Sequence, residues 1–83
     1  MTITIKVLGP GCANCKRTKS IIAEVIQENH LDAQVVEVTD MMEIMAYGVM
    51  STPAIVINEK VVSAGRVPAR SQVAEMIRQA QSA

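Results

Sequence analysis

The feature that most constrains this chain is Cys12-Ala13-Asn14-Cys15, which holds its only two cysteines and joins a strand-like run to a helix-like one. Upstream, Ile3, Ile5 and Val7 alternate with Thr2, Thr4 and Lys6, the period of a half-buried β-strand over residues 2–8. Gly9-Pro10-Gly11 then breaks the strand into a tight loop. From Cys12 to about Asn29 the period turns helical. Cys15, Thr18, Ile22, Val25 or Ile26, and Asn29 share one stripe, while Lys16, Lys19, Glu24 and Glu28 lie largely off it. A thiol delivered to a helix N-terminus sits among unpaired N–H groups at the positive end of the dipole, and both favour the thiolate. Thiolates attack disulfides and bind soft metals, so those are the two chemistries to separate.

The rest of the chain alternates strands and helices. Val35, Val36 and Val38 read as a second strand. Thr39 and Asp40 supply caps, and Asp40 with Glu43 resembles a capping box for a short helix over 41–47, closed by Gly48. Ala54-Ile55-Val56-Ile57 and Lys60-Val61-Val62-Ser63 form an antiparallel hairpin around Asn58-Glu59. Pro68 suits the first turn of a last helix, about 68–80, with Val73, Ile77 and Ala80 inward. The order βαβαββα predicts a single α/β domain over 1–83, a four-stranded mixed sheet flanked by three helices.

Composition narrows the function. Tyr47 is the only aromatic residue, so the core must be aliphatic. A disulfide between the two cysteines would close a tiny loop and stabilise by about 2 kcal/mol, which makes a structural staple the weaker reading. Eight basic residues balance eight acidic ones, and with few aromatics for stacking no nucleic-acid partner is expected. No apolar stretch approaches the length of a membrane span, and no membrane partner is expected. The opening residues lack the order of a secretory signal, so the cytoplasm is the expected location. There a vicinal cysteine pair is redox-active or metal-binding more often than structural.

At this point the residues resemble the thioredoxin superfamily, and most closely its smallest, glutaredoxin-sized members. Two motifs carry the likeness: Gly11-Cys12-Ala13-Asn14-Cys15-Lys16 after the first strand, and Tyr47-Gly48-Val49-Met50-Ser51-Thr52-Pro53-Ala54 before the third. The resemblance implies a minimal thioredoxin fold and a thiol–disulfide oxidoreductase with Cys12 as exposed nucleophile and Cys15 as resolving thiol. The helical stripe agrees, since it turns Cys15 inward and leaves Cys12 at the helix mouth. The resemblance also implies that Pro53 is a cis-proline whose neighbour Thr52 offers its backbone to an extended substrate. The substrate-binding surface would comprise Gly11, Ala13, Asn14, Thr52, Pro53 and Gly65. No cofactor beyond the Cys12–Cys15 disulfide is implied. The partners would be a disulfide-bearing protein or small molecule and a thiol reductant or disulfide reductase, with the chain a monomer.

Departures from the family pattern are as informative. Gly11 stands where thioredoxins carry Trp, and Ala13-Asn14 where they carry Gly-Pro. Lys6 occupies the place of a buried acid six residues before the first cysteine; it either points to solvent or, lying nearby, favours the thiolate. A single Gly65, followed by Arg66, replaces the glutaredoxin Gly-Gly turn, which weakens the case for glutathione. Lys16 and Arg17 read equally as thiolate-stabilising cations or as solubility groups. Met41, Met42, Met45 and Met50 suit Cu(I), but flexible filling of a core without aromatics, or an adaptable partner surface, is the stronger account. His30 reads as a cap or surface residue, and Tyr47 as packing against a helix–loop corner. The rival function is a soft-metal (Cu(I) or Zn(II)) delivery domain using the same Cys-x-x-Cys. Such domains run βαββαβ and finish on a strand, which this pattern does not.

Overall fold

The computed structural model describes residues 3–11 and 13–82, so Thr2 and Cys12, both singled out above, lie outside the described residues. The elements are β1 (Ile3–Leu8), α1 (Ala13–Glu28), β2 (Ala33–Val38), α2 (Met41–Ala46), β3 (Ala54–Ile57), β4 (Lys60–Ala64) and α3 (Arg70–Ser82). They form one four-stranded sheet in the order β2-β1-β3-β4. β1 runs parallel to β2, with Leu8 opposite Val38, and antiparallel to β3, with Leu8 opposite Ala54. Ala54 in turn pairs with Ala64 of β4. The ends of β1, β2 and β4 and the start of β3 therefore share one edge of the molecule. This is a minimal thioredoxin fold, mixed in sheet direction as the element order implies.

Strand alternation sends successive side chains to opposite faces. Ile3, Ile5, Val7, Ile55 and Ile57 pack with Ile22 and Val25 of α1 and Val73 and Ile77 of α3. On the other face Leu8, Val38, Ala54 and Val56 pack with Ile44 of α2, flanked by Tyr47 and Val49. α1 and α3 thus cover one side of the sheet and α2 the other.

Local chemistry sets the boundaries. α1 ends in a Schellman-type turn: Leu31 N–H donates to Ile26 O at 3.0 Å and His30 N–H to Gln27 O at 3.4 Å, with His30 at φ 52° where glycine is usual. His30 is exposed and acts there through its backbone. Asn58 and Glu59, at φ 53° and 65°, make the two-residue turn whose twist suits a hairpin. Asp40 caps α2 by accepting from Met42 N–H at 2.9 Å, one residue short of the capping-box donor. α3 starts at Arg70 rather than Pro68, because the Gln72 side chain accepts from Ala69 N–H at 3.0 Å and fixes Ala69 as the cap.

One expectation fails. Met41, Met42, Met45 and Met50 are not core fillers; they are 52, 77, 66 and 97 % exposed. α2 has only six residues and buries one of them, Ile44, while short aliphatic strand residues already fill the space beneath it. A helix that brief offers one inward position, so its other side chains face outward.

Candidate active site

The site assembles at the edge where β1 ends and β3 begins. Gly9 follows β1 and donates its N–H to Val38 O at 2.9 Å, which extends the β1–β2 ladder by one step. Its φ lies outside the left-handed region, so the backbone does not demand glycine there. Space does. A Cβ at this position would stand 2.2 Å from Cys15 Sγ and 3.7 Å from Thr52 Cβ. The sulfur and Thr52 Cβ are therefore no more than about 6 Å apart, across the missing side chain.

Cys15 lies in the first turn of α1 and is only 5 % exposed, as the inward stripe implies. One turn on, the buried Thr18 returns its hydroxyl to Asn14 O at 2.8 Å, spending a polar group on its own helix. Ala13 and Asn14 are exposed on that turn, and Gly11 precedes it at φ 96°, a left-handed conformation that L side chains resist.

The loop before β3 closes the other side. The Thr52–Pro53 peptide bond is cis, Pro53 is buried and Thr52 half-buried. Pro53 O accepts from Gly65 N–H at 2.9 Å. Gly65, at φ 79°, also lies so near that a Cβ there would sit 3.0 Å from Ser51 Cβ. Cys15, Thr52, Pro53 and Gly65, four of the residues singled out from sequence, are thus joined by close contacts. Gly11, Ala13 and Asn14 flank them on the exposed loop and first helical turn. From sequence Gly9 is loop punctuation only; nothing in its context distinguishes a glycine needed for space from one needed for a turn.

Lys6 takes neither of its expected places. Alternation along β1 turns it to the face opposite α1, where Nζ donates to Tyr47 Oη at 2.7 Å and Glu59 Oε1 at 2.6 Å. Tyr47 Oη donates to Glu59 Oε2 at 2.9 Å, closing a three-membered cluster. The hydrogen bonds that it donates to Glu59 first and Tyr47 second hold the Lys6 ammonium well above the ordinary lysine range. The same bonds, from Lys6 first and Tyr47 second, lower the Glu59 carboxyl below its ordinary value of 4.5. Tyr47 packs at the helix–loop corner with its hydroxyl committed to this cluster, away from the sulfur. Among the described residues no group of three His, Cys, Asp or Glu side chains is placed to hold a metal ion.

A family model described as a thioredoxin domain matches residues 3–78. The chain belongs to the thioredoxin superfamily. It is 29 % identical over 76 residues to a thioredoxin of Methanocaldococcus jannaschii, covering 92 % of this chain and 87 % of that one. It is 25 % identical over 73 residues to a thioredoxin of Methanothermobacter thermautotrophicus, covering 88 % of this chain and 95 % of that one. These thioredoxins match nearly end to end, so the likeness takes in both the segment around Cys15 and the Thr52–Pro53 loop. No helix among the described residues is long and apolar enough to cross a membrane.

Proposed function

We propose that this thioredoxin-superfamily chain is a thiol–disulfide oxidoreductase that reduces disulfides of protein or small-molecule targets through Cys12 and Cys15. The observation that carries the reading is the sheltered Cys15 sulfur, seated on Gly9 beside Thr52, three residues after Cys12 at the start of a 16-residue helix. In the first step the Cys12 thiolate attacks one sulfur of the target disulfide. The Cys12–target bond forms, the target S–S bond breaks, and the other target sulfur leaves as a thiolate that takes a proton from water. In the second step Cys15, as thiolate, attacks the Cys12 sulfur. The Cys12–Cys15 disulfide forms, the mixed disulfide breaks, and the second target thiol is released. Two electrons have passed from the dithiol to the target.

A helix N-terminus lowers the cost of the Cys12 thiolate, while shelter keeps Cys15 from competing for the target. Thr52 and the exposed Gly11, Ala13 and Asn14 form the substrate side, with Pro53 and Gly65 bracing the loop. A thiol reductant or a disulfide reductase restores the dithiol, no organic cofactor takes part, and a monomer in the reducing cytoplasm is the setting that suits this chemistry. The observed βαβαββα order, with α2 between β2 and β3, does not favour the soft-metal rival, whose domains run βαββαβ.

The test is reduction of a protein disulfide by the reduced chain and its cysteine variants, beside a Cu(I) and Zn(II) titration. Cys12→Ser abolishes reduction, whereas Cys15→Ser accumulates a mixed disulfide with the target. Stoichiometric, tight metal uptake at neutral pH with negligible reduction by the unmodified chain would overturn the proposal.

A further inference from the structure

The chain is neutral overall, yet its charges are unevenly spent. Arg70 binds Glu24 at 2.6 Å and also Glu28, Lys19 binds Glu37 at 3.2 Å, Lys6 binds Glu59 at 2.6 Å, and Arg78 binds Glu75 at 3.3 Å. Lys16, Arg17, Lys60 and Arg66 have no carboxylate partner among the described residues. Lys60 adjoins the Asn58-Glu59 turn at the far end of the sheet. The other three belong to the chain segments that build the site. Lys16 and Arg17 are exposed in the first turns of α1, directly after Ala13 and Asn14, and helical side chains lean toward the N-terminus. Arg66 is exposed and directly follows Gly65, whose N–H grips Pro53 O.

The carboxylates at this end do not cancel them. Glu37 is neutralised by Lys19. Asp40 and Glu43 belong to the start of α2, on the opposite face of the sheet from α1. Beside the loop, Met50 is 97 % exposed, a pliable apolar contact two residues before Thr52.

We propose that this surface, from α1 across the Thr52–Pro53 loop to the end of β4, selects targets whose disulfide lies in an acidic, extended protein segment. The inference rests on the oxidoreductase reading and adds the substrate class. Carboxylates flanking the target cysteines meet Lys16 and Arg17 on one side and Arg66 on the other, while an apolar side chain rests on Met50. Like-charged segments are repelled, and both effects act chiefly on encounter and are screened by salt.

The experiment uses two synthetic peptides with the same disulfide loop, flanked by Asp and Glu in one and by Lys and Arg in the other. Reduction rate is measured on the disulfides, and binding on Ser-for-Cys versions, at about 20 mM and about 500 mM salt. The expected result is about tenfold tighter binding and faster reduction of the acidic peptide at low salt, the product of three modest surface pairings. That ratio shrinks to about twofold at high salt, where the Debye length is only a few ångströms. In the Lys16→Glu, Arg17→Glu, Arg66→Glu triple variant the preference inverts, a gain of basic-peptide binding that an unfolded protein would not show. Equal binding and equal reduction of the two peptides by the unmodified chain would overturn the surface and leave the oxidoreductase reading standing. Charge-graded binding without reduction of either peptide would support the surface and overturn the oxidoreductase reading.

Discussion

Replacing Gly9 by Ala puts a methyl group where the structure has a sulfur. The built Cβ lies 2.2 Å from Cys15 Sγ and 3.2 Å from Cys15 Cβ, whereas unbonded heavy atoms rest at about 3.5–4.0 Å. The overlap with sulfur exceeds an ångström, so either β1 or the first turn of α1 must shift. Overpacking of this kind costs about 1–3 kcal/mol. At roughly 4–8 °C per kcal/mol for a domain of this size, a cost near 2 kcal/mol lowers Tm by about 8–16 °C. A backbone explanation predicts a different sign. Because Gly9 has no left-handed φ, Ala at this position should gain about 0.4–1 kcal/mol from a stiffer unfolded chain once the clash is gone. The assay is therefore a double-mutant cycle by urea or thermal unfolding under reducing conditions: Gly9→Ala, Cys15→Ala, and both. Gly9→Ala destabilises the parent strongly and the Cys15→Ala background little or not at all, with a coupling of about 1–2 kcal/mol. In disulfide exchange, Gly9→Ala slows closure of the second step more than attack in the first, so mixed disulfide accumulates. An equal penalty in both backgrounds would refute the claim that the sulfur rests on Gly9, and with it the placement of Thr52 beside the thiol.

Two further outcomes follow from the charged groups. Glu59, lowered by Lys6 and Tyr47, contributes stability that is present above its ordinary value of 4.5 and is lost as pH falls through its lower folded value. Lys6, raised by the same bonds, contributes stability that holds below the ordinary lysine range and is lost only in strong alkali, so the acid side is the accessible one. The drop in Tm between pH 6 and pH 3 is accordingly smaller in Glu59→Gln than in the parent; an unchanged drop by scanning calorimetry would refute the cluster's role. Arg70 joins α3 to Glu24 and Glu28 of α1, all more than half exposed, so Arg70→Ala costs no more than about 1 kcal/mol in dilute salt and about nothing in 1 M salt. A loss that persists at high salt in urea unfolding would show that Arg70 packs rather than pairs.

Much of the fold was legible because the core is aliphatic and its periods are undiluted. Ile3, Ile5 and Val7 alternate, Cys15, Thr18, Ile22 and Val25 recur at helical spacing, and these are the residues the structure buries. The inward turn of Cys15 came from that same stripe. What was not legible depended on distance across the fold. Position six residues before Cys12 leaves Lys6 open between solvent and the thiol, but one-residue alternation sends it to the other face, toward partners 41 and 53 residues away. Hydrophobicity alone marks Met41, Met42 and Met45 as core, but a six-residue helix has one inward position and Ile44 takes it. Gly9 carried no sequence signal at all, since its requirement is the volume of a sulfur brought there by another element.

The site's geometry follows from strand order rather than from any single motif. β1 is central, parallel to β2 and antiparallel to β3, so its C-terminal end meets the start of β3. The loop entering β3 must therefore cross the place where the chain leaves β1 for α1, which brings Thr52 to Cys15 although 37 residues separate them. Antiparallel pairing of β3 with β4 then returns the chain to the same edge, and Gly65 reaches the Pro53 carbonyl. Gly9 thus seats the Cys15 sulfur beside Thr52, while Gly65 closes on Ser51 and on the Pro53 carbonyl behind that loop. A side chain added at Gly9 perturbs the thiol through packing, and one added at Gly65 crowds Ser51 in the loop. Charge enters only outside that packed centre, where the Lys6 cluster ties the far face together and the unpaired cations of α1 and Arg66 remain available to a partner.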